Sequence, residues 1–504
     1  MLIDRRSGIL LHPTSLPGSQ PIGSLGQEAY DFVDFLVASE QSVWQILPLG
    51  PTGYGDCPYS SFSAFAGNPL LINLQHLVEL GDLRQNDLIS EETGYSTADY
   101  DRAVKTIIPA LNLAADNFKA RGNQDLNAKF AEFCTRHADW LDDFSLFQAL
   151  REAHHFTGWQ HWPEAIRQRD PAALSDWCAK LEDAIYRHKY QQFIFFKQWA
   201  ALKRYANSRG VKIFGDLPIF VAEDSADVWA NQNLFQLDEN GQPLLVAGVP
   251  PDYFSPTGQR WGNPLYNWQA MENDDFVWWK HRFRWNFELF DLLRVDHFRG
   301  FSACWAIPAE EQTAENGTWI NTPGEQLFDS LLDEFGTLPI IAEDLGIITP
   351  DVVQLRDKYQ FPGMKILQFA FDSGDDNPYL PQNHVANSVV YTGTHDNNTT
   401  LGWWQSLDEA GQHKVRLYLQ QACGAMPWCL IETALSSVAL LTMIPLQDIL
   451  ALPESCRMNI PGTASGNWQW RFQSGELTEK LTAQLKETSH LYSRNLCIPT
   501  EITQ

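Results

Sequence analysis

The sequence predicts an α/β fold, a (β/α)8 TIM barrel with large helical and loop insertions. Three observations carry that prediction. Eight short apolar runs recur along the 504 residues, each ending in a polar or glycine-rich turn. Helix-like stretches separate them. Four of the runs end on a carboxylate. Continuous apolar runs suit strands buried on both faces of a parallel sheet. Eight of them alternating with helices read as a barrel whose chemistry sits at the C-terminal strand ends.

The runs cover residues 9–11, 43–49, 211–214, 292–295, 340–342, 364–371, 389–392 and 440–444. Among the helices, Thr349-Pro350-Asp351 opens one with a capping hydroxyl, a first-turn proline and an acid at the positive end of the helix dipole. A second is expected over 181–208, where Phe193, Phe196, Trp199, Leu202 and Tyr205 form an apolar stripe and Gly210 follows as a stop. Residues 75–180 read as a mostly helical insertion after the second strand. Residues 220–270 read as a loop-rich insertion after the third, forming part of the cleft. Within it, 249–264 is expected to overhang the site as a lid carrying Tyr253, Phe254 and Trp261. Little chain follows residue 444, which argues against a C-terminal β-sandwich domain. The whole of 1–504 reads as a single catalytic barrel.

Composition narrows the partners. With 36 Lys+Arg against 62 Asp+Glu, the net charge is −26. Nucleic acid and anionic membrane surfaces require clustered cations, so neither is an expected partner. No apolar run reaches the ~18 residues of a membrane span, and the N-terminus lacks a signal-peptide pattern. The eight cysteines contain no C-x-x-C pair and read as reduced thiols, which with the missing leader points to the cytoplasm. The 19 Trp, 15 Tyr and 29 Phe supply a core, and rings that can pack on the C–H face of a sugar.

The acids that follow the runs are Asp216, Asp296, Glu343 and Asp396. One such acid alone is more often a helix cap or a lysine's partner. Four around one mouth repel each other, which a protein kept only for stability would avoid. Asp296 and Glu343 follow the fourth and fifth runs, so they fall on adjacent strands ~4.8 Å apart. Two carboxylates flanking one bond is what glycoside chemistry needs, and this spacing is compatible with the ~5–5.5 Å separation of a retaining mechanism. Arg294 shares a strand face with Asp296 and can hold it ionised. Glu343 has no basic neighbour in sequence and follows an apolar run, a setting that raises a carboxyl's pKa as a general acid requires. Other chemistries lack their signatures. There is no H-E-x-x-H, no His-x-His at a strand end, no phosphate loop, no G-x-S-x-G and no G-x-G-x-x-G. No metal and no cofactor is expected.

At these residues the chain resembles the amylomaltase, or disproportionating enzyme, family of 4-α-glucanotransferases, relatives of the α-amylases. The resemblance rests on Leu293-Arg294-Val295-Asp296-His297-Phe298-Arg299-Gly300, Ala342-Glu343-Asp344-Leu345-Gly346 and Gly393-Thr394-His395-Asp396-Asn397. Phe214-Gly215-Asp216-Leu217-Pro218 and Tyr59-Ser60-Ser61-Phe62-Ser63 match as well. It implies Asp296 as nucleophile, Glu343 as general acid/base, and Asp396 with His395 as holders of sugar hydroxyls. It further implies that Asp216 and Arg294 support the nucleophile, that Tyr59 stacks on the transferred glucose, and that Gln259 and Trp261 belong to the overhanging loop. The implied donors and acceptors are α-1,4-glucans and maltooligosaccharides, with glucose as an acceptor. An α-amylase-type hydrolase is the alternative activity, and a non-catalytic glucan-binding barrel is the alternative class. Where the family reads Asp-Ser-Pro-Tyr, this chain has Asp56-Cys57-Pro58-Tyr59.

Overall fold

The computed structural model describes residues 5–88, 95–251, 255–419 and 424–496. Its strands in chain order are β1 Arg6–Leu10, β2 Val43–Gln45, β3 Lys212–Pro218, β4 Leu245–Val249, β5 Gln259–Pro264, β6 Leu292–Asp296, β7 Ala303–Pro308, β8 Thr318–Asn321, β9 Ile340–Ala342, β10 Gly363–Ile366, β11 Ser388–Tyr391 and β12 Leu441–Pro445. Eight of them make one parallel sheet in the order β10-β11-β12-β1-β2-β3-β6-β9. Each of the eight apolar runs supplies one of these strands.

The two ends of that order meet without a ladder. The Ala342 N–H donates to the Pro362 carbonyl at 2.9 Å, and the Met364 N–H donates to the Asp344 carboxylate at 2.7 Å. The barrel is therefore closed between β9 and β10 by one backbone bond and one side chain.

Strand alternation then decides what faces inward. Val43, Phe214, Leu292, Ile341, Met364, Val389, Tyr391 and Leu441 fill the barrel interior. The residues between them, among them Trp44, Ile213, Leu293, Val295, Ile340 and Ala342, pack outward against the helices. Two positions further along, the inward series turns polar: Leu292 leads to Arg294 and Asp296, Phe214 to Asp216, and Ile341 to Glu343. An apolar floor thus supports a charged mouth.

Between β2 and β3 the chain forms helices Leu74–Leu80, Tyr100–Arg121, Gln124–Arg136, Ala138–Ala153 and Pro171–Lys180, then the 27-residue helix Glu182–Ser208. That long helix buries Phe193, Phe196, Trp199 and Leu202, while Tyr205 is half-buried and bonds Asp34 at 2.7 Å. Gly210 follows it at φ 82, a left-handed turn that glycine adopts without strain.

Three expectations need correction. Residues 249–264 are not simply a loop, because Gln259–Pro264 is a strand paired with β4, which pairs with β7 and β7 with β8 in a four-stranded antiparallel sheet. Its partners come from both sides of β6, and β4 carries a register shift between Val246 and Gly248, so no local alternation betrays it. Tyr253 and Phe254 lie outside the described residues. Thr349 precedes helix Pro350–Lys358 but makes no side-chain cap, since its Oγ1 accepts instead from Arg299 Nη1 at 2.9 Å. Cys57, Cys134, Cys178, Cys304 and Cys456 are free thiols, whereas Cys429 is disulfide-bonded. A long chain has no need of such a bond, but that does not stop nearby thiols from pairing. Cys423 and Cys497 are outside the described residues.

Among the described residues no strand follows β12, and no helix is long and apolar enough to cross a membrane.

Candidate active site

The mouth is organised around one buried guanidinium. Asp216 and Arg294 are ladder partners on β3 and β6. Arg294 Nε donates to Asp216 Oδ1 at 2.9 Å, and Nη2 sits 2.8 Å from Oδ2, a two-pronged pair that fixes the ring of contacts. The same Nη2 reaches Asp296 Oδ1 at 2.8 Å and the Tyr59 hydroxyl at 2.9 Å. The Tyr59 hydroxyl in turn donates to Asp216 Oδ2 at 2.7 Å. Asp216 and Arg294 are almost fully buried, while the Asp296 side chain is 29% exposed into the cleft. The carboxylates hold Arg294 even more firmly charged than a free guanidinium, against the opposing effect of burial.

Glu343 comes next to Asp296 because Val295 and Ala342 are the last ladder pair of β6 and β9. Its backbone continues the register: the Glu343 N–H donates to Val295 O at 3.0 Å, and the Phe298 N–H donates to Glu343 O at 3.1 Å. Its carboxyl oxygens accept from the His297 N–H at 2.7 Å and the Leu345 N–H at 3.1 Å. Burial lifts the Glu343 carboxyl to about 7, with Arg294 and these N–H groups pulling the other way. Burial also raises Asp296 above the usual carboxylate range. Asp216, Glu343 and Asp396 add to that rise, and Arg294 is the one cation opposing it. The direct cation contact belongs to Asp296 and not to Glu343. Burial raises both acids and they repel each other, while the hydrogen-bonded contact to the guanidinium is made by Asp296.

Across the mouth, the Tyr59 ring stacks on His395 with centroids 5.2 Å apart and planes 11° from parallel. His395 Nε2 lies 3.4 Å from Asp396 Oδ1. Burial lowers the His395 pKa, so the ring faces the cleft as neutral imidazole, while Asp396 is exposed. The motif residues do not hold Asp396 alone. Asn459 Nδ2 donates to Asp396 Oδ1 at 2.6 Å, Arg457 Nη2 donates to the Asp396 carbonyl at 2.5 Å, and the Asn459 N–H donates to the His395 carbonyl at 3.1 Å. Trp468 tilts against both Tyr59 and His395 at 6.1 and 5.9 Å. Arg457, Asn459 as an Asp396 partner, and Trp468 were missed from sequence. They sit in an irregular stretch after β12, where no periodicity marks a functional side chain. The polarity of Arg457 and Asn459 beside Pro461 and Gly462 was the available signal.

On the Glu343 side, Trp261 meets the His297 ring edge-on at 4.8 Å, and its indole N–H donates to Gln259 Oε1 at 3.2 Å. Gln259 and Trp261 therefore stand on β5 next to the residue whose backbone holds Glu343. Asp216, Arg294, Asp296, Tyr59, His395 and Asp396 are joined by direct contacts, and Gln259, Trp261 and Glu343 are joined through His297. Cys57 is half-buried in the turn before Tyr59, its carbonyl accepts from the Ser60 N–H at 3.1 Å, and burial pushes its thiol up to about 11.

Two carboxyls on adjacent strands, both raised by burial and one of them paired with a guanidinium, can carry out nucleophilic attack with acid/base assistance at an acetal carbon. Stacked Tyr59 and His395 can line a sugar-sized slot beside them.

The chain is similar to known proteins along almost its whole length. A 4-alpha-glucanotransferase family model matches residues 11–478. The chain is 50% identical over 502 residues to a 4-alpha-glucanotransferase of Synechocystis sp., covering 98% of this chain and 99% of that one. It is 48% identical to a 4-alpha-glucanotransferase of Thermus thermophilus, covering 98% and 100%. Among solved structures, an amylomaltase from Streptococcus agalactiae in complex with acarbose superposes with TM-score 0.94 at 41% identity, covering 97% of this chain and all of that one.

Proposed function

The chain belongs to the 4-alpha-glucanotransferase family, and on that premise we propose how its own residues perform the transfer. The substrates are α-1,4-glucans and maltooligosaccharides. A segment leaves a donor chain and joins the 4-hydroxyl of glucose or of another glucan.

In this reading Asp296 attacks the anomeric carbon while Glu343 gives its proton to the departing glycosidic oxygen. A covalent glycosyl ester forms on Asp296, and the shortened chain leaves. Glu343, now ionised, takes the proton of the incoming 4-hydroxyl as that oxygen displaces Asp296, so configuration is retained. Arg294 supplies the charge that keeps Asp296 anionic while Glu343 holds the proton. Asp396, fixed by Asn459 and beside neutral His395, holds hydroxyls of the distorted ring. Tyr59 stacks on that ring, and Asp216 anchors Arg294 and Tyr59 together. Gln259 and Trp261 face the acceptor. The observation that carries this reading is the contact of Arg294 with Asp296 and not with Glu343, on adjacent strand ends.

We further propose the cytoplasm as its location: among the described residues five of six cysteines are free thiols, with Cys429 the disulfide-bonded exception.

Incubation with maltotriose alone tests the activity. A ladder of longer oligomers with glucose supports transfer. Maltose and glucose without longer products would support the hydrolase alternative.

A further inference from the structure

All 19 tryptophans of the chain lie within the described residues, and two of them, Trp261 and Trp319, are exposed, each at 38%. Both stand on the antiparallel sheet, whose order β5-β4-β7-β8 puts them on its opposite edge strands. An exposed indole offers an apolar plane with a polar edge, a surface that can bind a ligand. Trp261 belongs to the mouth already described; Trp319 does not.

Trp319 is open but held. The Arg299 guanidinium lies 3.9 Å over its ring. Trp305, its ladder partner on β7, meets it edge-on with centroids 5.2 Å apart. Both braces are fixed in turn. Arg299 Nη1 donates to the Ile347 carbonyl at 2.8 Å and to Thr349 Oγ1, and Trp305 Nε1 donates to the Ala314 carbonyl at 2.9 Å. A ring braced in this way loses little side-chain entropy on binding a ligand. Its exposed part can meet the C–H face of a pyranose.

The same braces relate Trp319 to the reaction. Ile347 is itself 51% exposed and lies on the loop that begins at Glu343, where the Leu345 N–H bonds the acid's carboxyl. The path from the acid therefore runs along this loop to Arg299 and on to Trp319. A general acid protonates the oxygen shared with the leaving chain, so a loop leaving the acid flanks the leaving and acceptor side.

We propose that Trp319 is a remote binding platform for the α-1,4-glucan chain that extends past Glu343 on the acceptor side. The proposal rests on the transferase reading above. It makes Trp319 matter for long chains and not for short ones that end before reaching it.

Kinetics of Trp319→Ala and Trp319→Tyr on two substrates, with melting temperatures recorded for each variant, test this. With long-chain amylose as the donor and glucose as the acceptor, Trp319→Ala is expected to raise KM about three- to tenfold with kcat kept, the effect of losing one aromatic contact made equally in ground and transition states. Maltotriose disproportionation stays within about twofold of wild type, and Trp319→Tyr recovers most of the amylose affinity. An unchanged amylose KM would overturn the platform. So would parallel losses on amylose and maltotriose with a lowered melting temperature, since Trp319 would then merely cover Arg299. If wild type itself fails to disproportionate maltotriose, the transferase reading falls before this one is reached.

Discussion

Arg294 and Asp296 sit two residues apart on one strand, and the guanidinium Nη2 of the first lies 2.8 Å from the carboxylate Oδ1 of the second. Because i and i+2 share a strand face, the strand geometry itself sets that contact. Asp216 holds Arg294 from the neighbouring strand, so the cation cannot swing away.

Replacing Arg294 with lysine keeps one positive charge and removes the fork. A single ammonium cannot span Asp216, Asp296 and Tyr59 together. Arg294→Lys is expected to lower kcat for maltotriose disproportionation by roughly 100-fold or more, the scale of losing a preorganised electrostatic contact. A loss under about fivefold, measured on folded protein, would show that Asp296 needs no fork.

Glu343, as the proposed general acid, is expected to set the alkaline limb. Its carboxyl is raised to about 7 by burial, and the proposed first step uses its protonated form. Protonation is complete well below that value and is lost as pH rises through it, so kcat/KM falls on the alkaline side with an apparent pKa near about 7. A glucosyl fluoride donor, whose leaving group needs no proton, should lose that limb in the glycosylation step. A limb that persists unchanged with the fluoride would assign it to another group.

Asn459 orients Asp396 through a 2.6 Å bond, from a segment outside the barrel strands. Asn459→Ala frees that carboxylate to rotate. A drop in kcat of about tenfold is expected with KM changed less, since Asp396 is proposed to act on the distorted ring. Asn459→Asp, which puts a second negative charge against Asp396, should be worse than alanine. Equal activity in both variants and wild type would remove Asn459 from the positioning of Asp396.

Trp261 is edge-on to His297 and exposed, and it is proposed to hold an acceptor sugar where water would otherwise enter. Trp261→Ala should raise the ratio of hydrolysis to disproportionation on one maltooligosaccharide. An unchanged ratio, or loss of both activities together with thermal stability, would make Trp261 a packing residue only.

What was legible in the sequence follows from what is local. Strands buried on both faces write themselves as continuous apolar runs, so each of the eight barrel strands appeared. The Arg294–Asp296 contact is an i, i+2 relation and could be read directly. The antiparallel sheet could not, because β4 pairs with β7 across the whole of β6 and a register shift breaks its alternation. Arg457 and Asn459 reach the site from an irregular stretch after β12, so their roles depend on tertiary placement alone. Thr349 looked like a helix cap and proved to be an Arg299 partner, a competition for one hydroxyl that only packing decides.

Asp296 is proposed to form the covalent link to the transferred sugar. The direct measurement uses the Glu343→Gln variant with a maltosyl fluoride donor. Fluoride leaves without an acid, while resolution of the ester is slowed for want of a base. After rapid denaturation and proteolysis, mass spectrometry should find the maltosyl adduct on the peptide carrying Asp296, and Asp296→Asn in the same background should abolish it. An adduct on any other residue, or fluoride release with no adduct and an inverted product, would contradict the account.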